Sequence, residues 1–172
     1  MVKPLVVDIP YPSTDCIKEN RRAAYIISPS YAGYEGELNA ILSYNYHSLY
    51  FESFGMKEYA ETLTAISVAE MRHLDIIGEL IIKLGADPVY TLRAFDKYDF
   101  YNASNVSSSN IPVKMLLDDI SGEITAINAY KEMEKKLSDD VAAIIARIRL
   151  DEELHVKALK SLMEKLSSRA VL

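Results

Sequence analysis

From about Ser30 onward, apolar residues recur at intervals of three and four, the period of an α-helix with one buried face. That spacing predicts a first long helix over 30–54, stopped by Gly55. A second periodic run extends from Lys57 to Leu84 and closes at Gly85, with Asp87-Pro88 just beyond; at 1.5 Å per residue it predicts a helix ~40 Å long. Over 86–111 the pattern is lost. Tyr90, Phe95, Tyr98, Phe100 and Tyr101 stand there among polar residues, and an Asn/Ser tract follows over 102–110. A third helix is predicted from Pro112, a good first-turn residue, to about Lys136. A fourth starts at Ser138, where Asp139 and Asp140 suit the positive end of the helix dipole, while Lys157, Lys160 and Lys165 suit its negative end. Residues 1–29 carry Pro4, Pro10, Pro12 and Pro29 and are read as an N-terminal arm with at most a short helical turn around 18–27.

The segment 86–111 is too long for a turn between antiparallel neighbours. It predicts a crossover that travels the length of the bundle and leaves the second and third helices parallel. The expected fold is therefore all-α, an up-down-down-up four-helix bundle over about 30–168. An internal repeat fits this plan. Gly36-Glu37-Leu38-Asn39-Ala40-Ile41-Leu42-Ser43-Tyr44 matches Gly122-Glu123-Ile124-Thr125-Ala126-Ile127-Asn128-Ala129-Tyr130 at five identical and two similar positions. Each copy is followed by a helix carrying Glu-x-x-His, at 70–73 and 152–155. The chain thus predicts two related helical hairpins about an approximate two-fold axis.

Composition narrows the setting. At 172 residues, nearly half of them apolar, the chain suits one core. No stretch approaches the roughly 18 apolar residues of a membrane span, and the N-terminus has no secretory pattern, so a cytoplasmic protein is expected. A net charge of −6 with no basic stripe speaks against nucleic-acid or anionic-membrane partners. Cys16 is the only cysteine, which leaves no internal disulfide, CxxC pair or rubredoxin-type site.

The chemistry resides in the repeat. A Glu and a His three residues apart share one helical face and can reach one cation. With Glu37 and Glu123 at matched places on the other two helices, the set becomes one Glu from each of two helices and Glu-x-x-His from each of the other two. Four carboxylates inside a bundle would each cost several kcal/mol unpaired, and two divalent cations balance them. The expected ligands are Glu37 and His73 for one ion and Glu123 and His155 for the other, with Glu70 and Glu152 bridging. Asp119, one turn before Glu123, is expected to accept the free ring N–H of His155, and Asp151 that of His73. Tyr44 and Tyr130, two turns from their glutamates, are candidate catalytic residues that point into the same core. His47 lies off the Glu37 line and is read as structural.

Over 31–166 the chain resembles the bacterioferritin and rubrerythrin branch of the ferritin-like superfamily. The resemblance rests on Gly-Glu-Leu-x-Ala-Ile-x-x-Tyr at 36–44, Glu-Met-x-His at 70–73, Asp119 with Glu123, and Asp-Glu-Glu-x-His at 151–155. It implies a dinuclear centre, two iron or two manganese ions per chain, that reacts with peroxide or oxygen, with an electron-donor protein as a further partner. Ala126 stands where rubrerythrins carry an extra glutamate, and no rubredoxin cysteines are present, so a full rubrerythrin is not expected. Seventeen residues follow His155, which speaks against a storage cage and for a small oligomer, a homodimer. Met71 matches the haem-ligand methionine of bacterioferritins, but methionine also fills core gaps, and haem is not expected. Manganese catalases share nearly the same ligand pattern, so peroxidase or ferroxidase, manganese catalase and an iron-binding or storage subunit are the functions it implies.

Overall fold

In the computed structural model, which describes residues 2–96 and 98–169, five α-helices follow one another: α1 Arg21–Ala32, α2 Glu37–Ser53, α3 Lys57–Lys83, α4 Pro112–Glu134 and α5 Asp139–Arg169. Gly55 and Gly85 adopt φ of +70° and +86°. This left-handed conformation, open to glycine at little cost, is why the helices before them stop there. α2 packs along α3, and α4 along α5, while the two hairpins meet less extensively. Tyr44 of α2 reaches Glu123 of α4, and Tyr130 of α4 reaches Glu37 of α2, so these two helices run antiparallel. With α2 antiparallel to α3, the third and fourth helices run parallel across the long connection. The fold is a four-helix bundle with up-down-down-up direction, with α1 ahead of it.

Apolar layers flank a polar one. On α3, Tyr59, Leu63 and Ile66 belong to one buried cluster and Ile77, Leu80 and Ile81 to another. On α5 the same two clusters take Leu159 and Leu162 at one end and Ile144, Ile145 and Ile148 at the other. At about 1.5–3 kcal/mol for each large side chain buried, these layers hold the helices in register. Between them lie Glu70, His73, Asp151, Glu152 and His155, all buried.

The N-terminal boundary differs from the pattern-based expectation. The first bundle helix begins at Glu37, and residues 21–32 form a helix of their own rather than a brief turn in an arm ending at 29. Asn20 caps it, accepting from the Ala23 N–H at 3.0 Å. Pro29 sits inside it and cannot donate to Tyr25, whose carbonyl accepts instead from the Ser28 hydroxyl at 3.1 Å. The chain then turns so tightly that a Cβ at Gly33 or Gly36 would lie 2.4 or 2.7 Å from the Pro29 carbonyl oxygen. The periodicity ran on through this break because α1 and α2 both send apolar residues inward: Ile27 and Tyr31 join the cluster that also receives Leu38.

Ahead of α1, the chain lies on the α3 and α5 side. The Leu5 N–H donates to the Ala65 carbonyl at 3.0 Å and the Asn20 N–H to the Leu84 carbonyl at 3.1 Å. The crossover passes over α1 and α2. It folds back on itself at an antiparallel bridge between Thr91 and Phe100, receives a hydrogen bond from Tyr46 at the Ser108 carbonyl, 3.2 Å, and gives one from Tyr101 to Asn39, 3.0 Å.

Candidate metal centre

The repeat brings its residues together at the middle of the bundle. His73 Nδ1 lies 2.9 Å from Glu70 Oε2, 3.2 Å from Glu152 Oε1 and 3.8 Å from Glu37 Oε2. His155 Nδ1 lies 2.9 Å from Glu70 Oε1, 3.0 Å from Glu152 Oε2 and 3.4 Å from Glu123 Oε1. Glu70 and Glu152 therefore offer one oxygen to each histidine, whereas Glu37 faces only His73 and Glu123 only His155. Two overlapping donor sets result, Glu37–Glu70–His73–Glu152 and Glu70–Glu123–Glu152–His155, each with its ligand atoms within 4.8 Å of one another.

The electrostatics of this cluster call for positive charge. Burial, then repulsion from Glu70 and Glu152, pushes the Glu37 carboxyl well above the usual range; burial, then Glu152 and Glu70, does the same to Glu123. Burial would also raise Glu70 and Glu152, and for Glu152 the charge of Glu70 adds to it, but the two imidazoles outweigh these effects and hold both carboxyls down. Burial would depress the histidines, yet the facing carboxylates push both well up. A single Nδ1–H can serve one acceptor well, and three oxygens surround each. Glu70 Oε1 and Glu152 Oε1 are buried without a hydrogen-bond partner. A cation serves several oxygens at once, so this donor set fits divalent metal ions better than it fits protons.

Behind the cluster, the far ring nitrogens are held by different groups. His73 Nε2 lies 3.1 Å from Asp151 Oδ2, the pairing expected from sequence. Asp151 also receives the Val7 N–H at 2.7 Å and the Tyr11 hydroxyl at 2.5 Å, and pairs with Arg147 at 2.8 Å. Burial alone would raise its pKa; these donors, His73 first, bring it from 3.8 to about 2. Arg147 in turn donates to the Ile9 and Val7 carbonyls at 2.7 and 2.9 Å, and its guanidinium stacks on Tyr11 at 4.2 Å, with Arg72 on the same ring at 4.5 Å.

For the other histidine the expectation is corrected. Asp119 does not hold His155; His155 Nε2 donates to the Leu5 carbonyl at 2.8 Å, and Asp119 instead accepts from His47 Nδ1 at 2.8 Å. Asp119 is engaged by α2 through His47, and the arm fills the place behind His155. Leu5, Val7, Tyr11 and Arg147 were missed in the sequence. The spacing of Arg147 four residues before Asp151 was a usable signal; the arm residues, 140 or more positions from their partners, offered none.

On the opposite side, the two tyrosines cross over. The Tyr44 hydroxyl donates to Glu123 and that of Tyr130 to Glu37, each serving the glutamate of the other hairpin. Burial first, then the facing carboxylates, pushes both phenols well above their usual range, so both stay protonated donors. Between α2, α4 and the crossover lies a cavity of about 760 Å³ whose lining includes Glu37, Tyr44, Glu70, Asp119, Glu123 and Glu152. A Cβ at Gly122 would meet nothing within 4 Å, and Gly122 lines this cavity beside Glu123. Met71 lies half-exposed on α3.

A family model described as a ferritin-like domain matches residues 34–168. No curated protein sequence matches the chain. Among solved structures, a manganese catalase from Anabaena superposes with a TM-score of 0.78 at 22% identity, over 94% of this chain and 80% of that one. Bacterioferritin from Mycobacterium tuberculosis gives 0.71 at 22% identity, over 88% of this chain and 89% of that one. A Rhodobacter capsulatus bacterioferritin with a metal-free dinuclear site and a heme iron gives 0.67 at 22%, with the same coverage. At that identity the likeness speaks for the fold.

Proposed function

The chain belongs to the ferritin-like domain family, and from that premise we propose that its buried cluster holds two iron or manganese ions and makes the protein an oxidoreductase acting on peroxide or oxygen. Glu37 and His73 would hold one ion, Glu123 and His155 the other, and Glu70 and Glu152 both. The observation that carries this reading is the split of Glu70 and Glu152, each with one oxygen toward either histidine. Two such ions, when bound, would supply the redox chemistry that peroxide or oxygen turnover needs.

The residues of the chain prepare the place for that chemistry. Asp151 and the Leu5 carbonyl accept the Nε2 protons, so that each imidazole would turn a bare Nδ1 toward a bound ion once that ion replaces the Nδ1 proton. Tyr44 and Tyr130 orient Glu123 and Glu37 and leave their other oxygens free. The cavity admits a small substrate from the α2–α4 side, while the arm covers the histidine side. The exposed aromatics of the crossover, Tyr90, Phe95, Tyr98 and Phe100, support a small homo-oligomer, a dimer.

Manganese catalase is a second reading, supported by the likeness to the Anabaena enzyme over 94% of this chain, more than the bundle alone. Iron-loaded and manganese-loaded protein should be assayed for peroxide consumption with and without a reductant. Turnover that depends on the reductant supports the first reading, and oxygen release without it the second. No turnover with either metal would leave a metal-binding or storage role.

A further inference from the structure

The α2–α4 wall of the cavity contains a hydrogen-bonded chain that metal binding does not use. His47 is fully buried, with both ring nitrogens engaged: Nδ1 lies 2.8 Å from Asp119 Oδ1 and Nε2 lies 3.0 Å from Ser107 Oγ. Ser107 Oγ also lies 2.8 Å from Asp118 Oδ2. Asp118, its side chain 31% exposed, pairs at 2.9 Å with the exposed Lys114. At the inner end, Asp119 is buried and its Oδ2 has no hydrogen-bond partner. Ser107, Asp118 and Asp119 line the same cavity as Glu37, Glu70, Glu123 and Glu152. The groups facing His47 are thus Asp119 and Asp118 from α4, with Lys114 beyond, Ser107 from the crossover, and Tyr46 edge-on at 6.0 Å from its own helix.

A latch between α2 and α4 would need only the His47–Asp119 pair. It would not need a serine with one hydroxyl proton and two acceptors in reach, nor a buried carboxylate oxygen left unpaired, which carries a desolvation cost. Both features suit proton movement. A hydroxyl between two acceptors passes a proton by turning, and an imidazole takes one at one nitrogen while releasing one from the other.

We propose that Asp118, Ser107, His47 and Asp119 form a proton relay from the solvent-exposed Asp118 to the buried Asp119, in the wall of the cavity that the carboxylate–histidine cluster also lines. The proposal rests on reading that cluster as a redox centre. Reduction of one peroxide to two waters takes up two protons, together with two electrons from an external donor. In one passage the Asp118 carboxyl, protonated from solvent, gives its proton to Ser107 Oγ; the Ser107 hydroxyl proton moves to His47 Nε2; and the proton on His47 Nδ1 moves to Asp119. The net change is one proton carried from Asp118 to Asp119, with no electron moved.

Two variants test this. His47→Gln, loaded with metal to the parent's level, should reduce peroxide roughly 10²-fold more slowly, the usual worth of a placed acid–base group, and imidazole added to the buffer should restore part of the rate. A rate equal to the parent's, or a slow rate that imidazole leaves unchanged, overturns the relay. In metal-free full-length protein, Asp118→Asn at the exposed end should slow exchange of the His47 ring proton with water, read by NMR, by about tenfold, because an amide cannot pass the proton. Unchanged exchange also overturns it, and this measurement decides alone if His47→Gln does not fold. A parent that takes up no metal would defeat the redox reading of the cluster, while the exchange measurement would still judge the relay.

Discussion

Asp151 gathers the Val7 N–H, the Tyr11 hydroxyl, His73 Nε2 and the Arg147 guanidinium around one carboxylate, so its charge sets how strongly His73 donates from Nδ1. Asp151→Asn keeps the shape and removes the charge. Metal titration should show the affinity at the Glu37–His73 position falling about 10- to 100-fold, with less change at the other. The same carboxyl has a folded pKa of about 2 against an ordinary 3.8. A depressed folded pKa means stability present above the unfolded value and lost as pH falls through the folded one. The stability difference between parent and Asp151→Asn in metal-free protein should therefore be full above about pH 4 and shrink toward pH 2, as denaturant midpoints would record. Tyr44 and Tyr130 lead to a crossed expectation. Tyr44→Phe should perturb the ion held by Glu123, and Tyr130→Phe the ion held by Glu37, each by about 1.5–3 kcal/mol for a lost bond to a charged group. The reverse assignment in a metal titration would refute the crossed pairing.

At the scale of elements, the N-terminal arm behaves as a part of the centre. Its Leu5 carbonyl holds one histidine, and its Val7 and Tyr11 hold the carboxylate behind the other. Arg147 on α5 anchors it by the Val7 and Ile9 carbonyls. Arg147→Ala removes a buried charge from a pair and should cost about 3–5 kcal/mol. Limited proteolysis should then cut the arm within the first twelve or so residues while the bundle resists, and a variant arm as protected as the parent's would show that Arg147 is not the anchor. The helices themselves were legible from the 3.6-residue period, and α4 starts at Pro112 as the first-turn preference of proline predicts. The start of α2 was not legible. Apolar residues of α1 and α2 feed one core across the Gly33–Gly36 turn, so periodicity saw a single run where the backbone makes two.

For the whole molecule, a polar layer that held metal between two apolar layers would divide stability between packing and metal. Ions that bind the folded chain alone raise its stability by mass action, so loading with manganese or iron should raise the thermal midpoint and a chelator should lower it. Elemental analysis should find two ions per chain in the parent, and Glu70→Ala combined with His73→Ala should lose them. Parent-like metal content in that variant would mean that the ions sit elsewhere.

The apolar period determined the helices apart from the start of α2, and the repeated Gly-Glu-x-x-Ala-Ile-x-x-Tyr and Glu-x-x-His segments determined the expected pseudo-two-fold plan and the six candidate ligands. Their spacings are local, and a helix turns local spacing into a shared face. Asp151 behind His73 was also expected, because it stands next to the ligand Glu152 in the chain. What holds His155, what Asp119 serves and where the arm lies were decided only by tertiary structure. The two hairpins are alike in sequence, but the single arm packs on one side of the bundle and the single crossover on the other. Leu5 therefore occupies the place that the spacing from Glu123 had assigned to Asp119, and Asp119 turns to His47. The His47–Asp119 and Leu5–His155 contacts, 72 and 150 positions apart, leave no periodic trace in the chain, and only packing brings them together.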